Sequence, residues 1–199
     1  MQFNGDVGST KPPVPPAGFA IKPCPGYVAV TDRGREIPLF QYEMLALPAN
    51  GQKYALNTEG ERREFVAVAE SRFLSNTVPD ANQVVRLIET NPRANCHGWV
   101  FLEGRFGIES PHVPAILEDQ GYFVVQEPRA GDLVTFESRG ELIHSGIVGE
   151  RTGEGSVLIE SKWGPFGVYL HGPAAQPFPG VCTFYRSERP GRALTIRQA

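Results

Sequence analysis

Hydrophobic residues in the second half of the chain occur in short runs separated by polar turns, a pattern typical of an antiparallel sheet. Residues 133–136 form one apolar run after a turn at 128–132, and a polar turn at 138–141 leads to a second run around His144. A third run covers 156–161. These runs predict a three-stranded meander whose central strand carries His144. Further strands are predicted at 166–170 and 181–185, on either side of a Pro-rich loop at 172–180.

Helices are indicated where apolar residues recur three or four positions apart after a capping signal. Thr58 and Glu61 form a capping-box pattern before an apolar stripe that reaches Phe73. Asp80 and Gln83 repeat that pattern, which predicts a second helix over 84–88. Two more predicted helices begin at Asn95, an N-cap residue after Pro92, and at Ser110 with Pro111, the latter ending at Gly121.

The N-terminal part of the chain contains a Pro-rich stretch and then a hairpin. Residues 1–18 include Lys-Pro-Pro-Val-Pro-Pro at 11–16, which predicts a disordered leader. Two strands at 27–30 and 36–42 flank Asp32-Arg33-Gly34, which predicts a hairpin packed on the sheet. With 199 residues, we expect a single domain over 19–190, with its core at 80–186, and a polar tail at 191–199.

The charge and the start of the chain argue against two classes of partner. A formal net charge of -3 gives no attraction to nucleic acid or to anionic membranes. The first residues lack a basic start followed by an apolar run, and no segment approaches the roughly 18 apolar residues that span a bilayer. We therefore expect no nucleic-acid or membrane partner, and a protein that is cytoplasmic or exported by a dedicated secretion system.

The strongest candidate chemistry is a thiol at a helix start combined with an imidazole on a strand. Cys96 follows the predicted N-cap Asn95, and a helix N-terminus together with a nearby imidazolium lowers a thiol pKa. His144 is predicted to share one strand face with Leu142 and Gly146. Gly98 has no Cβ and would let a substrate carbonyl approach closely. A cysteine nucleophile with a histidine base requires these two groups.

Other uses of the cysteines are weaker. The three cysteines lack the CxxC spacing of a zinc site. A metal site of Cys96, His144 and Glu160 remains an alternative, although we expect neither a metal nor a cofactor. Cys24 and Cys182 could form a disulfide if they lie close together, but a reducing compartment is the simpler expectation.

Three motifs in the same order resemble those of the NlpC/P60 and CHAP cysteine peptidases of the papain-like superfamily. They are Asn-Cys-His-Gly-Trp at 95–99, Pro-Arg-Ala-Gly-Asp at 128–132 and His-Ser-Gly-Ile-Val at 144–148. The resemblance covers about residues 80–186. It implies an α+β, papain-like (NlpC/P60-type) fold in which helices pack on a small antiparallel β-sheet and the nucleophile Cys opens a helix.

The resemblance also implies roles for individual residues. Cys96 corresponds to the nucleophile, His144 to the general base and Glu160 to the group that orients the imidazole. This chain departs from CHAP members in having no Asn beyond Asn95, and from many NlpC/P60 members in having Glu rather than His at the third position. His171 is the reserve orienting residue if the strand register differs.

The implied activity is hydrolysis of an amide or isopeptide bond through a thioester, most readily of a peptidoglycan stem peptide by an endopeptidase or amidase. Trp99 and Trp163 are candidates to line the substrate cleft, although such residues more often pack inside a domain. A protein-processing protease, a deamidase or an acyltransferase would use the same two groups. A catalytically silent papain-like binding module is the alternative of another class. The sequence leaves open the oligomeric state and whether an inhibitor or immunity protein binds.

Overall fold

Antiparallel β-strands are the main regular structure of the described chain. The structure is a computed structural model that describes residues 16–45, 48–49, 52–53, 56–78, 80–151 and 156–199. The protein has a mixed α+β architecture with few helices, which confirms the predicted class. The strands are β1 (Phe19–Val30), β2 (Glu36–Met44), β3 (Pro48–Ala49), β4 (Gln52–Lys53), β5 (Val84–Ile88), β6 (Phe123–Val125), β7 (Leu133–Ser138), β8 (Glu141–Arg151), β9 (Val157–Lys162), β10 (Val168–His171), β11 (Val181–Arg186) and β12 (Thr195–Gln198). The helices are α1 (Glu59–Thr77), α2 (Cys96–Leu102) and α3 (Val113–Asp119), with 3-10 turns at Ala81–Gln83 and Ser110–His112.

A seven-stranded antiparallel sheet forms the centre of the molecule, in the order β5-β10-β9-β8-β7-β11-β6. The predicted meander is confirmed, because β7, β8 and β9 are consecutive neighbours. The strands predicted around 166–170 and 181–185 are present as β10 and β11, which extend the sheet on either side of the meander.

The helix predicted over 84–88 is wrong, because those residues form β5. Asp80 does cap a turn, accepting a hydrogen bond from the Asn82 N–H at 3.0 Å, but the turn is a single 3-10 turn. The following residues pair with β10, with Val84 opposite His171. Val84, Val85 and Ile88 are β-branched, so the strand is favoured once a partner edge is available.

A second, three-stranded sheet contains the predicted hairpin, in the order β12-β1-β2. The turn at Asp32-Arg33-Gly34 joins β1 and β2 as predicted, with Gly34 at a φ of 80°. The chain beyond 191, expected to be a polar tail, instead supplies β12, which pairs with residues Tyr27–Val30 of β1. The expected leader lies outside the described residues except for 16–18.

Two hydrophobic clusters lie on opposite faces of the seven-stranded sheet. One, called here the α2 cluster, joins Leu133 and Ile147 to side chains of α2, α3 and the three-stranded sheet. The other contains Val134, Phe136, Val148, Val157 and Ile159. Because neighbouring residues of β7 and β8 alternate between these clusters, each strand position has a defined face.

The helix α1 is held to the sheet through polar contacts as well as aromatic packing. Its capping box is confirmed, with Thr58 and Glu61 bonded reciprocally. Glu70 is buried and accepts hydrogen bonds from the Gly167 N–H at 2.8 Å and from the Tyr169 hydroxyl. Arg86 of β5 also donates to Glu70, at 2.6 Å, so one carboxylate ties α1 to two strands.

Within the described ranges, no helix has both the length and the apolar character needed to cross a bilayer.

The first prediction concerns Gly98, which lies inside α2. A Cβ built on Gly98 would lie 1.7 Å from the carbonyl oxygen of Phe106. Gly98→Ala should therefore lower the free energy of unfolding by about 3 kcal/mol or more, because the clash is with backbone that cannot rotate away. Urea unfolding measures the change. Gly60→Ala is the control, since its Cβ would have only one neighbour, at 3.9 Å, and should change stability by less than about 1 kcal/mol. Equal effects of the two substitutions would contradict the close packing of α2.

Candidate functional site

Asn95 fixes the position of the α2 N-terminus, as the sequence predicted. Its side-chain Oδ1 accepts hydrogen bonds from the Gly98 N–H at 2.9 Å and the Ile108 N–H at 3.1 Å. Its Nδ2 donates to the Ile108 carbonyl at 2.7 Å. The cap therefore attaches the start of α2 to the chain segment that follows it. Cys96 is the first residue of this helix.

The Cys96 sulfur lies among hydrogen-bond donors but is almost inaccessible. The backbone N–H groups of Ser145, His97 and Cys96 itself and the Ser145 hydroxyl all favour a thiolate there. Burial acts more strongly in the opposite direction and raises the pKa of the Cys96 thiol to about 11. Only 6% of the residue is exposed. The resting group at neutral pH is a thiol, not a thiolate.

A chain of hydrogen bonds leads away from the sulfur through Ser145. The His97 Nδ1 lies 2.8 Å from the Ser145 hydroxyl, and its Nε2 lies 3.0 Å from the Ser110 hydroxyl. Burial lowers the pKa of His97 to about 3, so the ring is neutral. One consistent tautomer has Nδ1–H donating to Ser145, which leaves the serine hydroxyl hydrogen free to point at the sulfur.

Lys162 of β9 is a fully buried amine near Cys96. Its Nζ donates to the carbonyl oxygens of Gly164 at 2.9 Å and Phe166 at 2.5 Å. Burial lowers the pKa of Lys162 to about 7, although negative charge on Cys96 or Glu70 acts to raise it. Burial therefore favours the uncharged amine of Lys162 far more than water does.

Tyr42 of β2 is a half-buried group that charge on Cys96 affects. Burial, together with charge on Cys96, raises the pKa of Tyr42 far above its usual range. Its phenol therefore stays protonated. Ser145 therefore hydrogen-bonds the Cys96 sulfur, whereas Lys162 and Tyr42 are linked to Cys96 only through the effect of its charge on their pKa values.

His144 lies on the other face of the sheet, so the structure does not bring its ring to Cys96. Phe136 pairs with His144 and Glu137 with Leu142, which leaves Ile143 as an extra residue in β8. This β-bulge separates Leu142, which packs with the α2 cluster, from Ile143, which packs with the opposite cluster. His144 follows Ile143 on that opposite face, and Ser145 takes the face towards α2. The expectation that His144 shares a face with Leu142 therefore fails.

The His144 imidazole is enclosed by aromatic rings and has no hydrogen-bond partner among the residues that the structure describes. It stacks on Phe178, with ring centroids 4.3 Å apart, and lies 5.6 Å from the ring of Phe136. Both ring nitrogens are buried without a hydrogen bond. Burial, with charge on His171 and His97, holds the pKa of His144 well below its usual value. In this arrangement the ring is neutral.

Glu160 and His171 also lie apart from His144. Glu160 pairs across the sheet with Ile147 and Leu170. Ile147 lies three residues beyond His144, which was the expected neighbour of Glu160. The His171 Nδ1 donates to the Gly172 carbonyl at 2.8 Å, so its Nε2 accepts from the Ser161 hydroxyl at 2.6 Å. Neither predicted orienting group hydrogen-bonds the His144 ring.

The three residues predicted to bind substrate pack within the fold. Gly98 faces the Phe106 carbonyl, which explains why glycine is needed there on structural grounds. Trp99 is half-buried against the α2 cluster. Trp163 is fully buried and stacks on Tyr169 with ring centroids 4.2 Å apart. In this conformation neither indole faces an open cleft at Cys96.

Sequence reasoning missed Ser145, His97 and Lys162 as neighbours of the thiol. Alternation along β9 places Glu160 and Lys162 on one face and Ile159 and Ser161 on the other, so Lys162 was identifiable once α2 was placed. Ser145 was not, because its orientation depends on the bulge before it. No local pattern predicts that bulge.

The described residues form neither a metal-binding cluster nor a disulfide bond. No three histidine, cysteine or carboxylate side chains there come together in a way that could hold a metal ion. Cys24, Cys96 and Cys182 are all free thiols.

Comparison with known proteins adds no family: no family model matches the chain, and no curated protein or solved structure is significantly similar to it.

Proposed function

We propose that the protein is a cysteine hydrolase that cleaves an amide or isopeptide bond through a thioester on Cys96, in a papain-like domain. The observation that supports this most is the surroundings of the sulfur. Three backbone N–H groups and the Ser145 hydroxyl favour negative charge at the first residue of α2, as a thiolate nucleophile requires. A structural cysteine has no need for four such donors.

The proton balance of the reaction can be written with the residues at hand. The neutral amine of Lys162 takes the Cys96 thiol proton as the sulfur attacks the carbonyl carbon. The resulting oxyanion collapses, the C–N bond breaks, and the lysine ammonium returns the proton to the leaving amine. Water then attacks the thioester, giving the acid and restoring the thiol. The Cys96 backbone N–H is one candidate oxyanion donor.

Lys162 is preferred to His144 as the base because of where the two groups lie. Lys162 shares the α2 face of the sheet with Ser145, whereas the His144 ring is stacked on Phe178 on the opposite face. The family resemblance assigns the base to His144, and that role requires β8 to shift its register by one residue. A one-residue shift would exchange His144 for Ser145 at the thiol.

The substrate class comes from the resemblance. Peptidoglycan stem peptides are the first proposed substrate. To reach them, the protein would leave the cytoplasm by a dedicated secretion route or be released by lysis. A protein-processing protease, a deamidase or an acyltransferase would use the same thiol. The nature of the acceptor that resolves the thioester distinguishes these activities.

A second candidate is a catalytically silent papain-like binding module. The burial of Cys96, with 6% exposure, and the orientation of His144 away from it favour this alternative. A binding module would keep the fold and use its surface, without needing access to the sulfur.

The second prediction tests the nucleophile. The protein should release new amino groups from purified peptidoglycan, and Cys96→Ala should reduce that rate by at least about 10³-fold, because the thioester can no longer form. Cys182→Ala is the matched control and should stay within about 2-fold. The measurement is amine labelling of digested sacculi, together with co-sedimentation of protein and sacculi. Co-sedimentation without amine release would instead favour the binding module, and full activity of Cys96→Ala would rule out the proposed nucleophile.

The third prediction separates the two candidate bases. Lys162→Met should lower kcat/KM by about 10²–10⁴-fold, and the rate of the wild-type protein should rise with pH through about 7, as the amine loses its proton. His144→Ala should cost less than about 10-fold, since its ring does not reach the thiol. The exposed Lys22, changed to Met, is the control for loss of a lysine charge. A large loss in His144→Ala with a small loss in Lys162→Met would return the base to His144.

A further inference from the structure

A small pocket lies beside the segment that follows β11. The Leu194 N–H bonds to the Phe101 carbonyl at 2.8 Å, and the Tyr122 ring packs on Phe101 with centroids 6.3 Å apart. These contacts bring the segment after β11 against the back of α2. The pocket there has a volume of about 140 Å³. Its walls include Tyr122, Gly131, Asp132, Arg186, Arg189 and Arg192.

Two of the three arginines in the pocket are neutralised by carboxylates. Arg186 forms a bidentate pair with Asp132, at 2.9 Å and 2.7 Å. Arg189 pairs with Asp32, at 2.7 Å and 3.1 Å. Such fork-like pairs hold the guanidinium planes in place and leave little net charge.

Arg192 differs from both. Its Nη1 donates to the Gly131 carbonyl at 3.3 Å, and its buried Nε has no acceptor in the described part of the chain. No ion pair of Arg192 with a carboxylate occurs among the described residues. A guanidinium offers five N–H donors, and the Gly131 carbonyl accepts from one of them. Partial burial of an under-bonded cation is costly unless an anion compensates it.

The charge of Arg192 acts at the other wall of the pocket as well. Burial raises the pKa of Tyr122, and the positive charges of Arg192 and Arg189 oppose that rise. The Tyr122 ring lines the same pocket as both guanidinium groups. Its phenol hydroxyl is a neutral donor available to the same ligand.

We propose that this pocket binds a small oxyanion, a phosphate or carboxylate group, held by the guanidinium of Arg192 with the Arg186 and Arg189 pairs as a rigid frame. The site is separate from Cys96, and its existence doesn't depend on the proposed hydrolase activity. Arginine suits this role because its planar donors match two oxygens of either anion.

The test is ligand-dependent thermal stability of the full chain. Inorganic phosphate or acetate, added at constant ionic strength with chloride as the balancing anion, should raise the Tm in a saturable way. The rise should reach about 5 °C or more at 100 times the Kd. Arg192→Gln should lose the rise, whereas Arg72→Gln, which removes an exposed arginine of α1, should keep it. A rise with phosphate alone or with acetate alone identifies the preferred anion.

A second measurement needs no substitution in the pocket. Phenylglyoxal modifies arginines, and mass spectrometry gives the rate at each one. Phosphate or acetate should slow modification of Arg192 in the wild-type protein and leave Arg72 unchanged. The proposal is overturned if neither anion raises the Tm of the wild type, if Arg192→Gln keeps the full rise, or if Arg192 and Arg72 are protected equally.

Discussion

The side chain of Asn95 is the constraint on which the arrangement around Cys96 depends. It satisfies two backbone N–H groups and one carbonyl, joining the first turn of α2 to Ile108. Gly98 permits the close approach that this requires, because any Cβ there would overlap the Phe106 carbonyl. These contacts therefore restrict α2 to a single position against the sheet. That position places the Cys96 sulfur at the backbone of Ser145 in β8.

The bulge at Ile143 then decides which side chain of β8 meets the thiol. Residues of a strand alternate between faces, so one extra residue exchanges the whole set that follows. With the bulge, Ser145 and Ile147 face α2, and His144 and Val148 face the opposite cluster. The family resemblance and the observed packing therefore differ by a single position. The resemblance requires His144 of β8 to face Cys96, whereas in the observed register Ser145 faces Cys96.

Local sequence signals predicted the elements that are stabilised locally. The Thr58 capping box, the Asn95 cap and the Asp32-Arg33-Gly34 turn each depend on residues within a few positions of one another. β5 and β12 could not be predicted in this way, because each is fixed by pairing with a strand distant in sequence. The same distinction between local and distant contacts applies to the candidate site. The location of Cys96 follows from its own helix, whereas its neighbours Ser145 and Lys162 follow from packing across the sheet.

For the proposed mechanism, the energetic cost of moving the thiol proton favours Lys162 over His97 as the acceptor. The pKa of Cys96 is about 11, that of Lys162 about 7 and that of His97 about 3. Each pKa unit corresponds to about 1.4 kcal/mol, so transfer to Lys162 costs roughly 5 kcal/mol and transfer to His97 roughly twice that. The smaller cost fits within the barrier of an enzyme that turns over at ordinary rates. The larger one would take up most of that barrier before any bond to the substrate forms. In the proposed mechanism, Ser145 and His97 therefore orient and solvate the sulfur, and Lys162 is the proton acceptor.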